Sequence, residues 1–86
     1  MRYRFIVEQV YEGAVDKEPP PAFDVARESG TTVVRGAIEV EADTLQEAFA
    51  HAVDAFMDAM TDAGWEGVTV VGGIRAENIL PNRVTP

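Results

Sequence analysis

The 86-residue chain has no cysteine, which excludes a disulfide framework, a thiolate nucleophile and a cysteine-ligated zinc. Histidine and serine occur once each, as His51 and Ser29. A Ser-His-Asp triad would have to join those two, and no nucleophile elbow surrounds Ser29. Gly72 and Gly73 follow a β-favouring stretch, yet no GxGxxG or GK[ST] pattern accompanies them, so a phosphate loop is not expected. Long apolar runs are missing too. Nothing approaches the roughly 20 residues of a transmembrane helix, and the apolar run behind Arg2 and Arg4 is broken by Glu8, unlike a secretory signal. These absences predict a cytoplasmic protein that is not an enzyme, carries no cofactor and does not associate with membranes.

Positive charge is scarce and unevenly placed. Between Arg35 and Arg75 there is no Lys or Arg, while Glu39, Glu41, Asp43, Glu47, Asp54, Asp58, Asp62 and Glu66 all fall there. Those eight acids make up the whole net charge of -8, because the other seven acids balance the seven bases. Such a distribution disfavours direct contact with nucleic acid phosphates or anionic lipid.

The stretch that organises the chain is 43–64, DTLQEAFAHAVDAFMDAMTDAG, one long amphipathic helix. Thr44 and Glu47 stand at capping-box spacing, as do Asp43 and Gln46 one residue earlier, and Gly64 supplies a left-handed C-terminal stop behind which Trp65 folds back. At about 100° per residue, Leu45, Phe49, Val53, Phe56 and Met60 form the expected buried stripe. Ala48, Ala52, Ala55, Ala59 and Ala63 run beside it, suited to close packing on a sheet or to a helix contact in a dimer. The remaining face carries Glu47, His51, Asp54, Asp58 and Asp62. His51, Asp54 and Asp58 share a face and would leave a metal ion mostly hydrated; a solvated acidic face explains them as well, and no metal is expected.

Strands are read from alternation. Tyr3, Phe5, Val7 and Tyr11 share one side of a first strand, and Arg4, Ile6, Glu8 and Val10 the other. Residues 31–42 form a second, with Val34, Gly36, Ile38, Val40 and Ala42 toward the helix, and Gly36 marks a bulge or the close approach of an aromatic ring. Residues 67–73, GVTVVGG, read as a third strand, residues 74–80 as an optional fourth, and 81–86 as a frayed tail. Between the first two strands, 12–30 is a proline-rich loop: either a mobile connection or a binding arm anchored by Phe23, with a short helical turn at 23–28 as a further alternative.

The expected fold is a single α+β domain over 1–86, ββαβ or ββαββ, with a three- or four-stranded sheet and one long amphipathic helix on one face. A crossover through the helix makes its flanking strands parallel, with the first strand between them and antiparallel to both. The uncovered sheet face, with Ile6, Val10, Val33, Ala37 and Val71 among charged residues, is the expected homodimer interface. Glu47, His51, Asp54, Asp58, Asp62 and Phe23 are the candidates for binding another protein.

Asp43, Thr44, Leu45, Gln46, Glu47 and Ala48, read as DTLQEA, resemble the strand-to-helix passage of HicB-type antitoxins. The resemblance covers about a quarter of the chain and implies a small sheet-and-helix domain that self-associates and blocks a protein partner. The proline-rich stretch, and the lack within these residues of a helix-turn-helix or ribbon-helix-helix segment, depart from that family. In general appearance the chain also resembles small acidic accessory proteins of bacteriophages. The expected function is a non-catalytic, homodimeric protein-interaction module. The alternatives are an acidic decoy, mimicking nucleic acid in a cationic groove, and a small ligand-binding or enzymatic dimer with Tyr3, Phe5, Tyr11 and Trp65 lining an apolar pocket.

Overall fold

The computed structural model describes residues 1–84. Its elements are β1 (Arg2–Glu12), β2 (Asp24–Glu28), β3 (Thr31–Glu41), α1 (Leu45–Asp62) and β4 (Arg75–Arg83). The sheet is antiparallel throughout its neighbour pairs, in the order β2-β3-β1-β4. Because β1 lies between them and opposes both, β3 and β4 run parallel, as the crossover argument requires.

The helix begins and ends where its local chemistry dictates. Thr44 has extended backbone angles and its hydroxyl accepts from the Glu47 N–H at 3.1 Å. At the other end Gly64 takes φ of 83°, its N–H donates to the Thr61 carbonyl, and the Trp65 N–H donates back to Met60 at 2.9 Å. That pair of bonds is a Schellman stop, and it turns Trp65 into the core beside Tyr11, with ring centroids 5.0 Å apart.

The buried face of α1 differs from the expected stripe. Ala48, Ala52, Phe56 and Met60 are buried, whereas Leu45 and Phe49 are about half exposed. Tyr3, Phe5, Val7, Tyr11 and Val34 already fill the space above the sheet, so methyl groups let the helix come closest. Ala48 and Ala52 of the alanine line are thereby taken up within the chain, with 0% exposure, and Ala55, Ala59 and Ala63 are partly buried.

Three boundaries also change. The 12–30 stretch is neither a mobile loop nor helical at 23–28: it contains β2 and is tied down along its length. The buried Thr32 hydroxyl donates to the Gly13 carbonyl at 2.8 Å and accepts from the Val15 N–H at 2.9 Å. Arg27 donates to the Val15 carbonyl, and the Trp65 indole donates to the Glu18 carbonyl at 2.8 Å. Residues 67–73 make only one isolated bridge, Tyr11 to Val70, because the glycines at 67 and 72 adopt positive φ and bend the chain away from a ladder. The ladder is made by Arg75–Arg83 instead, running through Pro81, which an outer strand tolerates because no ladder bond is needed on its free side. Residues 81–83 of the expected frayed tail are thus in β4, and 85–86 lie outside the described residues.

Candidate functional site

Side chains paired across an antiparallel ladder point to the same side of the sheet, so register sorts the residues by face. On the side away from α1, Ile6 stands opposite Ala37, and Val10 opposite Val33, which Ala26 flanks from β2. Val71 is next to Val10, to whose carbonyl its N–H donates at 2.9 Å, and is half exposed. The five interface candidates therefore lie on one surface, an apolar band on the two inner strands that the Glu8–Arg35 pair divides into Ile6 with Ala37 and Val10 with Val33 and Val71.

Rows of charge cross the same surface. Asp24, Arg35, Glu8 and Arg75 follow one another from β2 to β4 with alternating sign, and Glu39–Arg4 and Glu41–Arg2 repeat the alternation further along. Arg35 reaches Glu8 at 3.4 Å; Arg2 reaches Glu41 at 3.1 Å and Glu39 at 3.8 Å. These exposed pairs contribute little stability each; their effect is to hold both signs at fixed places on the face. Between them lies an open depression of about 740 Å³ lined by Ile6, Glu8, Arg35, Arg75, Ala76 and Glu77.

The other candidate surface is the outer side of α1. Glu47, His51, Asp54, Asp58 and Asp62 are all exposed and form one stripe along it. No basic residue occupies the last turn, so Asp58 and Asp62 sit at the negative end of the helix dipole, mildly unfavourable for the helix itself. Among the described residues no group of three or more His, Asp or Glu side chains is arranged to hold a metal ion. The acidic stripe and the apolar band lie on opposite sides of the molecule.

Phe23, the remaining partner candidate, points inward. Its ring stacks on Phe56 at 5.4 Å with 9° between planes, and lies directly over Gly36. The close aromatic approach expected at Gly36 is therefore made by Phe23, and an anchor for a partner it is not. Tyr3, Phe5, Tyr11 and Trp65 are buried in the core, packed among its other side chains. Tyr11 is held neutral by that burial, which raises its phenol above the ordinary pKa of 10.0.

Sequence reasoning missed a third feature. Leu45, Phe49, Val53 and Met57 recur every fourth residue along one flank of α1, and none is buried. Phe49 meets the core through an edge contact with Phe5, centroids 6.2 Å apart. The spacing was visible; what hid it was the assumption that the bulkiest row is the buried one. No helix is long and apolar enough to cross a membrane among the described residues. No protein-family model matches the chain, and neither a curated protein nor a solved structure matches it.

Proposed function

We propose that this chain is a non-catalytic protein-interaction module that pairs with a second copy of itself through the helix-free face of the sheet. The observation that carries the reading is the band formed by Ile6, Ala37, Val10 and Val33, not covered by the helix and crossed in its middle by the Glu8–Arg35 pair, with charges of both signs around it. A surface of one sign repels its own copy; one of alternating sign can be turned by a two-fold axis so that Arg35 and Arg75 of one copy oppose Glu8 and Glu77 of the other. Self-association is also what the resemblance of residues 43–48 implies. It would supplement a core that is small for independent stability.

Absolute mass by light scattering on a sizing column is the test. The expected result is a dimer that Val33→Glu converts to a monomer, with circular dichroism unchanged because Val33 points away from the core. A dimer that survives both Val33→Glu and Ala37→Arg refutes pairing through this face. The decoy reading has less support: Glu39 and Glu41, two of its eight acids, lie on the sheet face and engage Arg2.

A further inference from the structure

The row Leu45, Phe49, Val53 and Met57 extends about 18 Å along α1, three turns of helix. Its exposure is 49% at Leu45, 45% at Phe49 and 47% at Met57, with Val53 half-buried between them. Charged side chains are absent from the row itself, and Gln46 and Ala50 continue it outward without charge. Beyond them the helix turns acidic through Glu47, Asp54, Asp58 and Asp62, and α1 contains no Lys or Arg. The proline segment 19–21 lies elsewhere, bordering one shallow depression with Ala59, Asp62 and Ala63.

We infer that this row is the docking site for a basic amphipathic helix of another protein, one with an apolar stripe flanked by Lys or Arg. A second copy of this chain does not suit it, since helix-to-helix pairing would crowd eight carboxylates around one contact with no counter-charge on either α1. An anionic lipid surface is repelled for the same reason. An apolar row with a polarisable methionine and an acidic border is, conversely, matched by a cationic helix laid against it at i, i+3, i+4, i+7 spacing. The acids that local helix stability disfavours at 58 and 62 then have a counterpart in the partner. This site lies across the sheet from the proposed dimer face, so both can be occupied at once.

The probe is a synthetic 18-residue Leu/Lys peptide with helical period, its scramble of identical composition, and a Leu/Glu counterpart, each titrated by calorimetry at low and high salt against the intact chain. The Leu/Lys helix is expected to bind in the micromolar range and weaken with salt, the other two at least tenfold more weakly. Met57→Lys, at an exposed position that leaves the core untouched, is expected to lower affinity at least tenfold. The triple change Glu47→Gln, Asp54→Asn, Asp58→Asn is expected to remove most of the salt dependence. Val33→Glu is expected to leave peptide binding unchanged whatever it does to the mass, which separates failure of this site from failure of the dimer face. Equal binding of the scramble, or affinity unaltered by Met57→Lys, reduces the effect to unspecific charge attraction and overturns the inference; so does an absence of binding at millimolar peptide.

Discussion

Gly36→Ala adds one methyl group, and the surroundings decide its sign. A Cβ at this position would lie 2.6 Å from Phe23 Cε1 and 2.7 Å from Cδ1 and Cζ. Three ring atoms at that distance mean that the face of the ring is met, not the end of a flexible chain. Phe23 cannot retreat, because its other face is stacked on Phe56, which is itself fully buried. In an open strand position the same change would stabilise by about 0.5–1 kcal/mol, since glycine loses more backbone freedom on folding. Overpacking a filled core costs about 1–3 kcal/mol and exceeds that gain. A net loss of about 1–2 kcal/mol is expected, seen in urea unfolding as a lower midpoint with unchanged slope. Phe23→Ala removes the obstacle, so adding Gly36→Ala in that background is expected to be neutral or stabilising. The sign reversal between the two backgrounds is the decisive reading. A Gly36→Ala single variant as stable as the wild-type chain would refute the claim that Phe23 is wedged between Gly36 and Phe56.

Two further perturbations follow from the same physics. Thr32→Val keeps the shape of the side chain but removes the hydroxyl shared by Gly13 and Val15, leaving a carbonyl and an N–H without their partner; a loss of about 1–3 kcal/mol is expected by urea unfolding, with Thr32→Ser retaining most of the stability. Equal stability of Thr32→Val would mean that water replaces both bonds. Burial raises the folded pKa of Tyr11 above the unfolded 10.0, so at pH above 10 the unfolded chain gives up the phenolic proton first. The contribution of Tyr11 is therefore complete below pH 10 and is lost as pH rises through the folded pKa. Tyr11→Phe should lose less stability than the wild-type chain over that alkaline range; parallel profiles would show that the phenol is not held neutral by folding.

What could be read from the sequence was whatever neighbouring residues decide. The Thr44–Glu47 cap and the Gly64 stop are short-range hydrogen-bond patterns, and both appear in place. Gly36 was legible because glycine in a strand has few other reasons to be there. β2 was not: Asp24–Glu28 holds three charged residues and only Val25 of the strand-favouring types, and it is a strand because β3 offers a ladder and Arg27 ties it to Val15. The third strand, read at 67–73, was misplaced for the complementary reason, while the optional fourth read at 74–80 corresponds to β4. GVTVVGG has the stronger intrinsic preference, but its glycines turn, while Arg75–Arg83 needs only one neighbour and can include a proline on an outer edge. The helix face was read correctly at Phe56 and Met60 and missed at its N-terminal half, since periodicity ranks side chains by hydrophobicity and cannot know that Ala48 and Ala52, not Leu45 and Phe49, pack on the core there.

That substitution of methyl groups for large side chains at the helix–sheet contact also explains why the molecule has two unlike surfaces. A helix seated on Ala48 and Ala52 approaches the sheet closely and turns Leu45, Phe49 and Met57 outward on its flank. Had the bulky row been buried, as in a helix selected only to cover a core, the outer side of α1 would be uniformly acidic and would offer charge without an apolar anchor. Charge alone gives weak, salt-screened attraction, and an apolar row alone gives no choice of partner. Their juxtaposition on α1 supplies both, with one sign only, and so points to a partner different from this chain. Across the sheet Asp24, Arg35, Glu8 and Arg75 alternate in sign, and Arg4 and Arg2 stand opposite Glu39 and Glu41 even though Arg2 also faces Arg83, so a face that presents both signs in this way can be its own complement. The scarcity of Lys and Arg between Arg35 and Arg75 thus leaves one sign of charge on the helix, while the sheet carries both.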